Sequence, residues 1–557
     1  MPADGAAICQ RAVRLKADRA NHEARWEELA KYLAPSRQGI TGKRSEGAPQ
    51  MRDVTDSTTM MAAELMAMFL AGHLINPAQQ WLGLQMADPV IGKRDDVREW
   101  LEDSRDRMLV SLAASAFYAE GPESLIDHGG FGTGCLVLEE RPTASHQARR
   151  GFRGLWPQAV RTGRFLIAEG VDGRVDTLFR EVKLTARTMQ QQFDPGMLPP
   201  KVTAVIQSGK PDEPFDLWHA IYPRPLSEQR TGAGASAMPY ASCWVEQESK
   251  TLVRESGYRV FPAAVPRYHR TPGEQYGRGR GDIAYPDCWT LNTSKLMGLE
   301  DHALKMRPPI LVRSGSVIGS LRLTPAGPTV INTHGMAIRD VIAPFETGSN
   351  PQLASIKEEE LRKSIRQIFF VDQILQLMEV NKSEMTAFEF AKKLELLFSL
   401  IGPVYGRLEW EWLHPIVDVT FDNMLHGGAF APPPPALFES DGQIDAVFQN
   451  PIARAQRAGD AEAVSMLLQD LTPLAAIDPA ALQRMLVWLD PDETMQMLMR
   501  TRGVPAKASR SEEQVLAILE QQAQQAQQQQ VMHGAMAAAE AAGKAAPLVS
   551  AMKQGTA

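Results

Sequence analysis

The sequence predicts an α+β protein that is mainly helical, and two observations lead to this fold class. Segments with apolar residues at three- and four-residue spacing are typical of amphipathic helices, and they occupy residues 6–34, 286–307, 350–378 and 386–426. Residues 150–270 instead alternate short β-branched and aromatic runs with Gly, Pro and Asp turns, which indicates a β-rich region. The 557 residues, 44% of them hydrophobic, are enough for roughly three or four structural units with a sizeable core.

The N-terminal part predicts helices with recognisable ends. Residues 6–34 are rich in Ala, Arg, Glu and Leu, and Pro35 ends the run. Asp56-Ser57 offers an N-cap for a second helix, which we expect to end before Pro77 because the residue before a proline disfavours helical geometry. A third helix over 95–120, a short helix over 122–128 and a strand over 135–140 complete this part.

The β-rich region carries a helical excursion near 185–208. After this region, prolines separate two predicted helices from the insert that lies between them. The helix over 286–307 ends at Pro308-Pro309, and Asn350-Pro351 provides an N-cap and a first-turn proline for the helix over 350–378. Between them, 308–349 predicts a compact β-type insert. The apolar spacing of the first helix is set by Trp289, Leu296, Leu299, Ala303 and Met306.

The rest of the chain predicts a polar break and a long kinked helix. Residues 379–385 interrupt the helical pattern, and Thr386 with Glu389 forms a capping box that opens the next helix. Pro403 and Pro415 should kink this helix, because each proline removes one backbone hydrogen bond. The helix ends at 426 and a Pro-rich linker runs to 443. Residues 444–520 predict several short helices, and 521–557 form a low-complexity Gln- and Ala-rich tail.

Charge and cysteine content exclude several classes of protein. The 59 basic and 66 acidic residues leave a net charge of −7, which argues against a protein that coats nucleic acid but permits one that DNA slides past. The four cysteines are far apart, which predicts neither a zinc site nor a disulfide framework and favours a reducing, intracellular compartment. We expect no secretion signal and no membrane span, because the most apolar window, 60–75, is short and interrupted by Glu64 and His73.

Glycine-rich segments do not predict a nucleotide site. Gly39–Lys43 lacks the spacing of a P-loop, and Gly130–Gly134 precedes a strand where a dinucleotide fingerprint must follow one. Tyr276–Gly281 leaves two alternatives open. It could wrap a phosphate through backbone amides and two guanidinium groups, or it could be a flexible arginine-bearing turn before a helix.

Other catalytic patterns are equally weak. There is no GxSxG elbow and no HExxH helix, and no two histidines are spaced for a shared metal. Carboxylate pairs such as Asp95-Asp96 lie on faces that we expect to be solvated. A basic stretch could touch nucleic acid or form an exposed loop or subunit contact; it contains Arg141, Arg149, Arg150, Arg153, Arg161 and Arg164. The sequence therefore predicts no catalytic residue, no cofactor and no metal, and favours a structural or binding protein over an enzyme.

Several blocks of residues follow one another in a telling order. The first block is Asp56-Ser-Thr-Thr with Gly72, Asn76-Pro77 and Trp81, and the second is Phe131-Gly-Thr-Gly134. The third is Tyr276-Gly-Arg-Gly with Pro286-Asp287, Leu291, Leu296 and Pro308-Pro309. The fourth is Met385-Thr-Ala with Glu389, Leu400-Ile-Gly-Pro403-Val-Tyr-Gly-Arg407, Leu413-His-Pro415 and Phe421. Together they cover roughly residues 10–435. In this order they resemble the portal proteins of short-tailed bacteriophages, also called head-to-tail connecting proteins.

The resemblance implies a portal-type ring subunit with a defined order of parts. These are a wing at 1–285, a first stem helix at 286–307, a β-containing clip at 308–349, a second stem helix at 350–378, a tunnel loop at 379–385, a kinked wing helix with its linker at 386–443, a helical crown at 444–520 and a tail at 521–557. The helix–insert–helix pattern predicted from the residues follows the stem–clip–stem order.

The resemblance also implies function and partners. The chain would form a ring, expected to contain twelve copies, at one capsid vertex of the virion after assembly in the host cytoplasm. The ring would pass double-stranded DNA during packaging and ejection. Its other partners would be the terminase packaging motor, the major capsid and scaffolding proteins, and a tail adaptor. No membrane and no chemical step are expected. The alternatives are another virion structural protein, such as a tail adaptor, or an intracellular nucleic-acid enzyme whose site is not recognisable.

The predicted tunnel loop supplies the candidate DNA-facing residues Asn381, Lys382 and Ser383. These residue types favour turns over helix interiors. In a ring, each copy would present this loop to the channel, where Lys382 would lie near passing phosphates and the neighbouring Glu379 and Glu384 would limit the attraction. Without the resemblance, the same residues indicate a solvent-exposed turn between helices.

Overall fold

The structure is a computed structural model in which two compact units are distinguished. One unit comprises Met1–Leu82, Arg107–Phe430 and Asn450–Ile452, and the other comprises Gly83–Asp106, Ala431–Gln449 and Ala453–Ala557. The residues that the structure describes are 4–42, 47, 54–88, 90–142, 151–225, 237–314, 330–333, 335–345, 348, 351–378, 401–438, 444–448, 466–467, 494–495, 498, 515, 518, 521–522 and 524.

Helices make up most of the described chain. They are α1 (Gly5–Leu33), α2 (Thr58–Leu74), α3 (Asp95–Ala113), α4 (Phe117–Phe131), α5 (Ala186–Gln192), α6 (Pro200–Gln207), α7 (Arg280–Met306), α8 (Ile338–Val341), α9 (Pro351–Ile368), α10 (Val371–Met378), α11 (residues 401–408) and α12 (His414–His426). A π-helical turn, Glu409–Leu413, joins the last two. Short 3₁₀ turns lie at Pro35–Arg37, Ile91–Lys93, Pro195–Met197 and Pro435–Phe438.

The strands form small sheets, and those of the larger unit are antiparallel. They are β1 (Leu82–Met86), β2 (Leu136–Glu140), β3 (Leu155–Ala159), β4 (Phe165–Glu169), β5 (Val175–Thr185), β6 (Pro214–Pro223), β7 (Tyr240–Glu246), β8 (Leu252–Tyr258), β9 (Ala263–Ala264), β10 (Ile310–Val312), β11 (Ile342–Pro344) and β12 (Ile444–Phe448). In the larger unit, β4–β8 form a sheet in chain order, β3-β2-β9 form a second sheet, and β10 pairs with β11. β1 pairs with β12.

The five-stranded sheet is covered by helices on both faces. On one face, Ile8, Ala12 and Leu15 of α1 pack against apolar side chains that include Phe179 and Ala220. On the other face, α5 and α6 pack against side chains that include Leu217. Alternate residues of a strand point to opposite faces, so both faces of this sheet are apolar. The β-rich region and its helical excursion, predicted near 150–270 and 185–208, are confirmed.

Of two helix boundaries predicted in the N-terminal part, one is confirmed and one is wrong. The helix predicted over 6–34 is confirmed as α1, and a 3₁₀ turn beginning at Pro35 follows it. The division of the third and fourth helices near Pro122 is wrong. α4 begins at Phe117, where the Ser115 hydroxyl accepts a hydrogen bond from the Phe117 N–H, and Pro122 lies inside the helix. The local cap, and not the proline, sets this boundary.

The two helices on either side of the insert also depart from prediction. α7 begins at Arg280, before Pro286, because the Asp282 carboxylate accepts from the Gly279 N–H and caps the helix earlier. The single helix predicted over 350–378 is two helices, α9 and α10. Phe370 has φ of 58°, a left-handed conformation that interrupts a right-handed helix.

The C-terminal predictions are met in part. Helical structure over 401–426 is present, and at Pro415, which has no backbone N–H, the preceding turn is π-helical. The helix ends at Gly427, as expected. Residues 444–448, predicted as the start of a helical segment, form strand β12 because they pair with β1. Most of 444–520, and nearly all of the tail, lie outside the described residues.

Candidate functional site

The predicted DNA-facing loop lies outside the part of the chain that the structure describes. α10 ends at Met378 and the description resumes at residue 401, so Asn381, Lys382 and Ser383 keep their role only as a prediction. The structure does describe the helices on which that loop would be mounted. The candidate site is therefore the set of contacts that holds α7, α9 and α2 together, with the surface that these helices expose.

Asp56 joins the three helices at one buried point. Its carboxylate accepts from the Lys295 ammonium of α7 at 2.8 Å and from Arg362 Nε of α9 at 3.1 Å. The other carboxylate oxygen accepts from the Thr58 N–H at 2.9 Å, in the first turn of α2. The Asp56 side chain is almost completely buried. This one carboxylate thus neutralises a cation from α7 and a cation from α9, and it also caps α2.

The backbone before α2 is held by α7 as well. The side-chain oxygen of Asn292 accepts from the Thr55 N–H at 2.9 Å and from the Asp56 N–H at 3.2 Å. The Thr55 hydroxyl donates to the same residue. Asn292 is buried, so the polar groups at this crossing are satisfied within the protein.

The electrostatics of this crossing favour the ionised carboxylate. Burial alone would raise the pKa of Asp56, but hydrogen bonds from Lys295, Thr58 and Arg362 outweigh burial and hold that pKa well below its ordinary value. Asp56 is therefore charged throughout the physiological range. Removing the charge would leave Lys295 without its carboxylate partner and Arg362 with only Glu358 and Glu359.

Beyond this crossing, α7 carries apolar side chains that nothing in the described chain covers. Leu299 is 61% exposed and Met306 is 72% exposed, and nearly every residue after Lys295 is exposed. We call the exposed set the α7 apolar surface: Trp289, Leu296, Met297, Leu299, Leu304 and Met306. Four of the five apolar residues that predicted this helix belong to it. Contiguous exposed apolar surface of this kind marks an interaction site.

The glycine-rich segments have a structural role. Gly132 has φ of 92°, and a Cβ on it would lie 2.5 Å from backbone atoms of Gly277–Gly279. A Cβ on Gly279 would likewise meet the Gly130 carbonyl oxygen at 2.5 Å. The two segments therefore lie backbone against backbone, which only glycine permits. Arg278 binds Glu274 and Arg280 binds Tyr268, which does not favour a phosphate cradle. Tyr276–Gly281 is an arginine-bearing turn that leads into α7, which agrees with the second alternative except that glycine contacts hold the turn in place.

A buried arginine ties the loop before this turn to the long C-terminal helix. The Arg267 N–H donates to a Glu411 carboxylate oxygen at 2.9 Å, and the Arg267 guanidinium binds Glu411 and Glu169. Arg267 is completely buried and Glu411 lies in the π-helical turn. Sequence analysis missed this network, because Arg267 and Glu411 are 144 residues apart and belong to no local motif.

Two arginines of the predicted basic stretch are held in ion pairs. Arg153 pairs with Glu140 at 2.6 Å and Arg164 pairs with Glu181 at 2.9 Å. Arg149 and Arg150 lie outside the described residues. Across the described ranges there is no group of three His, Cys, Asp or Glu side chains placed to hold a metal ion. None of the helices described is both long and apolar enough to cross a membrane.

Comparison with known families decides what kind of protein carries this site. The family model described as bacteriophage head to tail connecting protein matches residues 6–509. The chain belongs to this family. The resemblance inferred from the ordered sequence blocks is thereby confirmed.

Relatives of this head-to-tail connecting protein are similar over most of their length. A Bordetella phage BPP-1 protein described as a probable portal protein is 26% identical over 478 residues, covering 84% of this chain and 83% of the relative. The portal protein of Salmonella phage epsilon15 is 24% identical over 546 residues, covering 96% and 94%.

Among solved structures, weak similarity extends to two chains of gene transfer agent particles. One is from the virion of the native particle, with a TM-score of 0.34 and 13% identity, covering 76% of this chain and 91% of the other. The second is from the neck of the empty particle, with a TM-score of 0.34 and 12% identity, covering 75% and 90%.

Proposed function

We propose that this head-to-tail connecting protein is a portal subunit and that identical copies form a closed ring. The observation that carries the proposal is the α7 apolar surface. The described part of a single chain leaves it exposed, and a neighbouring copy would cover it. Copies joined head to tail through two different surfaces close into a ring when the rotation between them allows it. The family resemblance suggests twelve copies.

The ring would act as a passage and not as a catalyst. Relatives that match most of this chain are named as a probable portal protein and a portal protein. We propose that the ring lies at one capsid vertex of a short-tailed phage, at the junction of head and tail. Double-stranded DNA would pass through it during packaging and ejection. The terminase motor, the capsid and scaffolding proteins and a tail adaptor would dock on it. The net charge of −7 suits a channel that does not grip phosphates.

The proposed parts of the subunit follow the chain. α7 and α9 are the stem, the segment between them is the clip, and 379–385 is the tunnel loop. The packing of α7 on α9 and the pairing of β10 with β11, between the two helices in sequence, support the stem and the clip. Asp56 would then fix the wing helix α2 to both stem helices.

The ring can be tested through the α7 apolar surface. Met297→Glu places a charge on it, and we expect a loss of the ring with the subunit still folded, measured by light scattering and circular dichroism. Val171→Glu is the matched control, because Val171 is fully exposed in a turn between two strands of the five-stranded sheet. A native chain that stays monomeric at micromolar concentration, or rings that form equally well in both variants, would contradict the proposal.

Two further tests address the channel and the clip. Lys382→Ala should change DNA retention or packaging efficiency in a salt-dependent way while the ring still assembles, because an exposed lysine contributes little to folding. Replacing 308–349 with a short Gly/Ser linker should leave the wing folded and abolish packaging or tail attachment. Unchanged packaging and retention at every salt concentration would remove the role of Lys382. Survival of both packaging and tail attachment would remove that of the clip.

A further inference from the structure

A cavity of about 290 Å³ lies apart from the stem helices, lined by residues of both larger sheets and of α12. The strand register places Ser242 beside Ser256 and Trp244 beside Arg254 on β7 and β8, and all four side chains line the cavity. Its volume is at the lower end of the range for ligand sites, which is about 300–1,000 Å³. Neither the ring nor the channel gives this cavity a role.

The floor of the cavity is rigid because its polar groups are satisfied. Arg180 Nε donates to His219 Nδ1 at 2.8 Å, so the proton of neutral His219 is on Nε2, which donates to the Ser242 hydroxyl at 2.8 Å. Burial, with the nearby Arg180, lowers the pKa of His219 and keeps the ring neutral. Arg180 and the Tyr258 hydroxyl both donate to Glu139. The floor therefore has no charge left over for a ligand.

The rim differs from the floor in having exposed arginines. Arg153 is held by Glu140 through its backbone N–H and its guanidinium. Arg254 and Arg259 are exposed, and the charge of Arg259 is attracted by Asp422, which lines the same cavity. Arginine presents a planar set of donors that matches a carboxylate in a two-point contact. The rim thus offers two guanidinium groups to an anion.

We propose that this cavity is a docking site for an acidic peptide segment of a partner protein. An aspartate or glutamate carboxylate of the segment binds Arg254 and Arg259, and its neighbouring side chains pack on Trp156 and Trp244. The Trp244 ring is itself fixed by stacking on His219, with ring centroids 4.1 Å apart. Tryptophan and arginine in a preformed pocket are the residue types that dominate binding energy at protein interfaces.

The charge pattern favours a peptide over nucleic acid. Asp422 and Glu140 line the same cavity and would repel the closely spaced phosphates of a nucleic-acid strand. A peptide can place a single carboxylate at the arginines. The nearby segment 143–150 of the chain itself is a poor occupant, because it carries Arg149 and Arg150 and no acidic residue.

The test measures binding of a short fluorescent peptide with blocked ends, one glutamate and apolar neighbouring residues to the assembled full-length protein. Binding should weaken as salt rises, and the same peptide with glutamine in place of the glutamate should not bind. Arg254→Gln and Arg259→Gln should each weaken binding about tenfold, the loss expected for a partly exposed charge-assisted contact, and the double variant should abolish it. Arg14→Gln is the control, since Arg14 is an exposed arginine of α1 that does not line the cavity.

Each alternative outcome overturns the proposal in its own way. Equal affinity of the native chain and the double variant places the peptide elsewhere. Displacement of the peptide by single-stranded DNA, with loss of DNA binding in the double variant, identifies a nucleic-acid site. Binding to dissociated subunits but not to the assembled ring shows that a second copy of this chain occupies the cavity. Circular dichroism of each variant confirms that the affinities compare folded proteins.

Discussion

Asp56→Asn isolates the charge at the crossing of α2, α7 and α9. Asparagine keeps an oxygen for the Thr58 N–H, so the cap of α2 should persist. The ion pairs with Lys295 and Arg362 are lost, so Lys295 keeps no carboxylate partner among the described residues, while Arg362 keeps Glu358 and Glu359. Breaking a fully buried pair costs about 3–5 kcal/mol. Because Lys295 is 30% exposed and Arg362 is 22% exposed, water can reach both, and we expect about 2–3 kcal/mol.

Glu359→Gln is the matched control for this prediction. Glu359 pairs with the same Arg362 at 3.2 Å but is 60% exposed, so water screens this pair and its loss should cost much less than the loss of the Asp56 charge. Denaturant unfolding at equal protomer concentration measures both variants, with light scattering to follow the ring. The lowered pKa of Asp56 means that its stabilisation is present above the ordinary carboxyl pKa and is lost below about pH 4. Equal costs for the two variants at pH 7 would refute the reasoning.

Two more predictions use buried groups and glycines. Burial lowers the pKa of His128 to about 4, so the stabilisation by neutral His128 is present above the ordinary histidine pKa and is lost as the pH falls toward 4. Between pH 7 and pH 5, the free energy of unfolding of His128→Gln should therefore fall by about 2 kcal/mol less than that of the native chain, measured by thermal unfolding. An identical fall in both proteins would contradict this prediction. Gly281→Ala should destabilise the protein by about 1–3 kcal/mol, because the new Cβ would meet the Gly130 carbonyl and Leu33. Gly406→Ala, in an open helical position, should stabilise it by up to about 1 kcal/mol. Unfolding midpoints that shift in the same direction would contradict both assignments.

The sequence predicted those parts of the fold that local patterns determine. The helix that ends before Pro35 was predicted to within one residue, because composition and the proline agree. Pro122 and Pro286 misled, since capping by Ser115 and Asp282 begins each helix earlier. The β structure and the family were also predictable from pattern and order.

The contacts that join distant parts of the chain were beyond sequence reasoning. Asp56 was expected to lie at a helix N-terminus, and its Thr58 contact fits that, but its partners on α7 and α9 follow from three-dimensional packing. The left-handed conformation of Phe370 gives no local signal, because phenylalanine is an ordinary helix residue. The apolar spacing on α7 did predict the helix, and four of its five spacing residues are large apolar side chains that are exposed in the described part of the chain.

The uncovered end of α7 links folding to assembly. A helix whose final turns expose leucine and methionine to water gains little from packing within its own chain, and an isolated helix of a few turns is marginal. Its order then depends on how many neighbours are present, so the thermal midpoint of the protein should rise with protomer concentration. In an infected cell, the supply of newly made subunits would thus set when this segment becomes structured, and this late-forming end of α7 is the end that leads into the proposed clip.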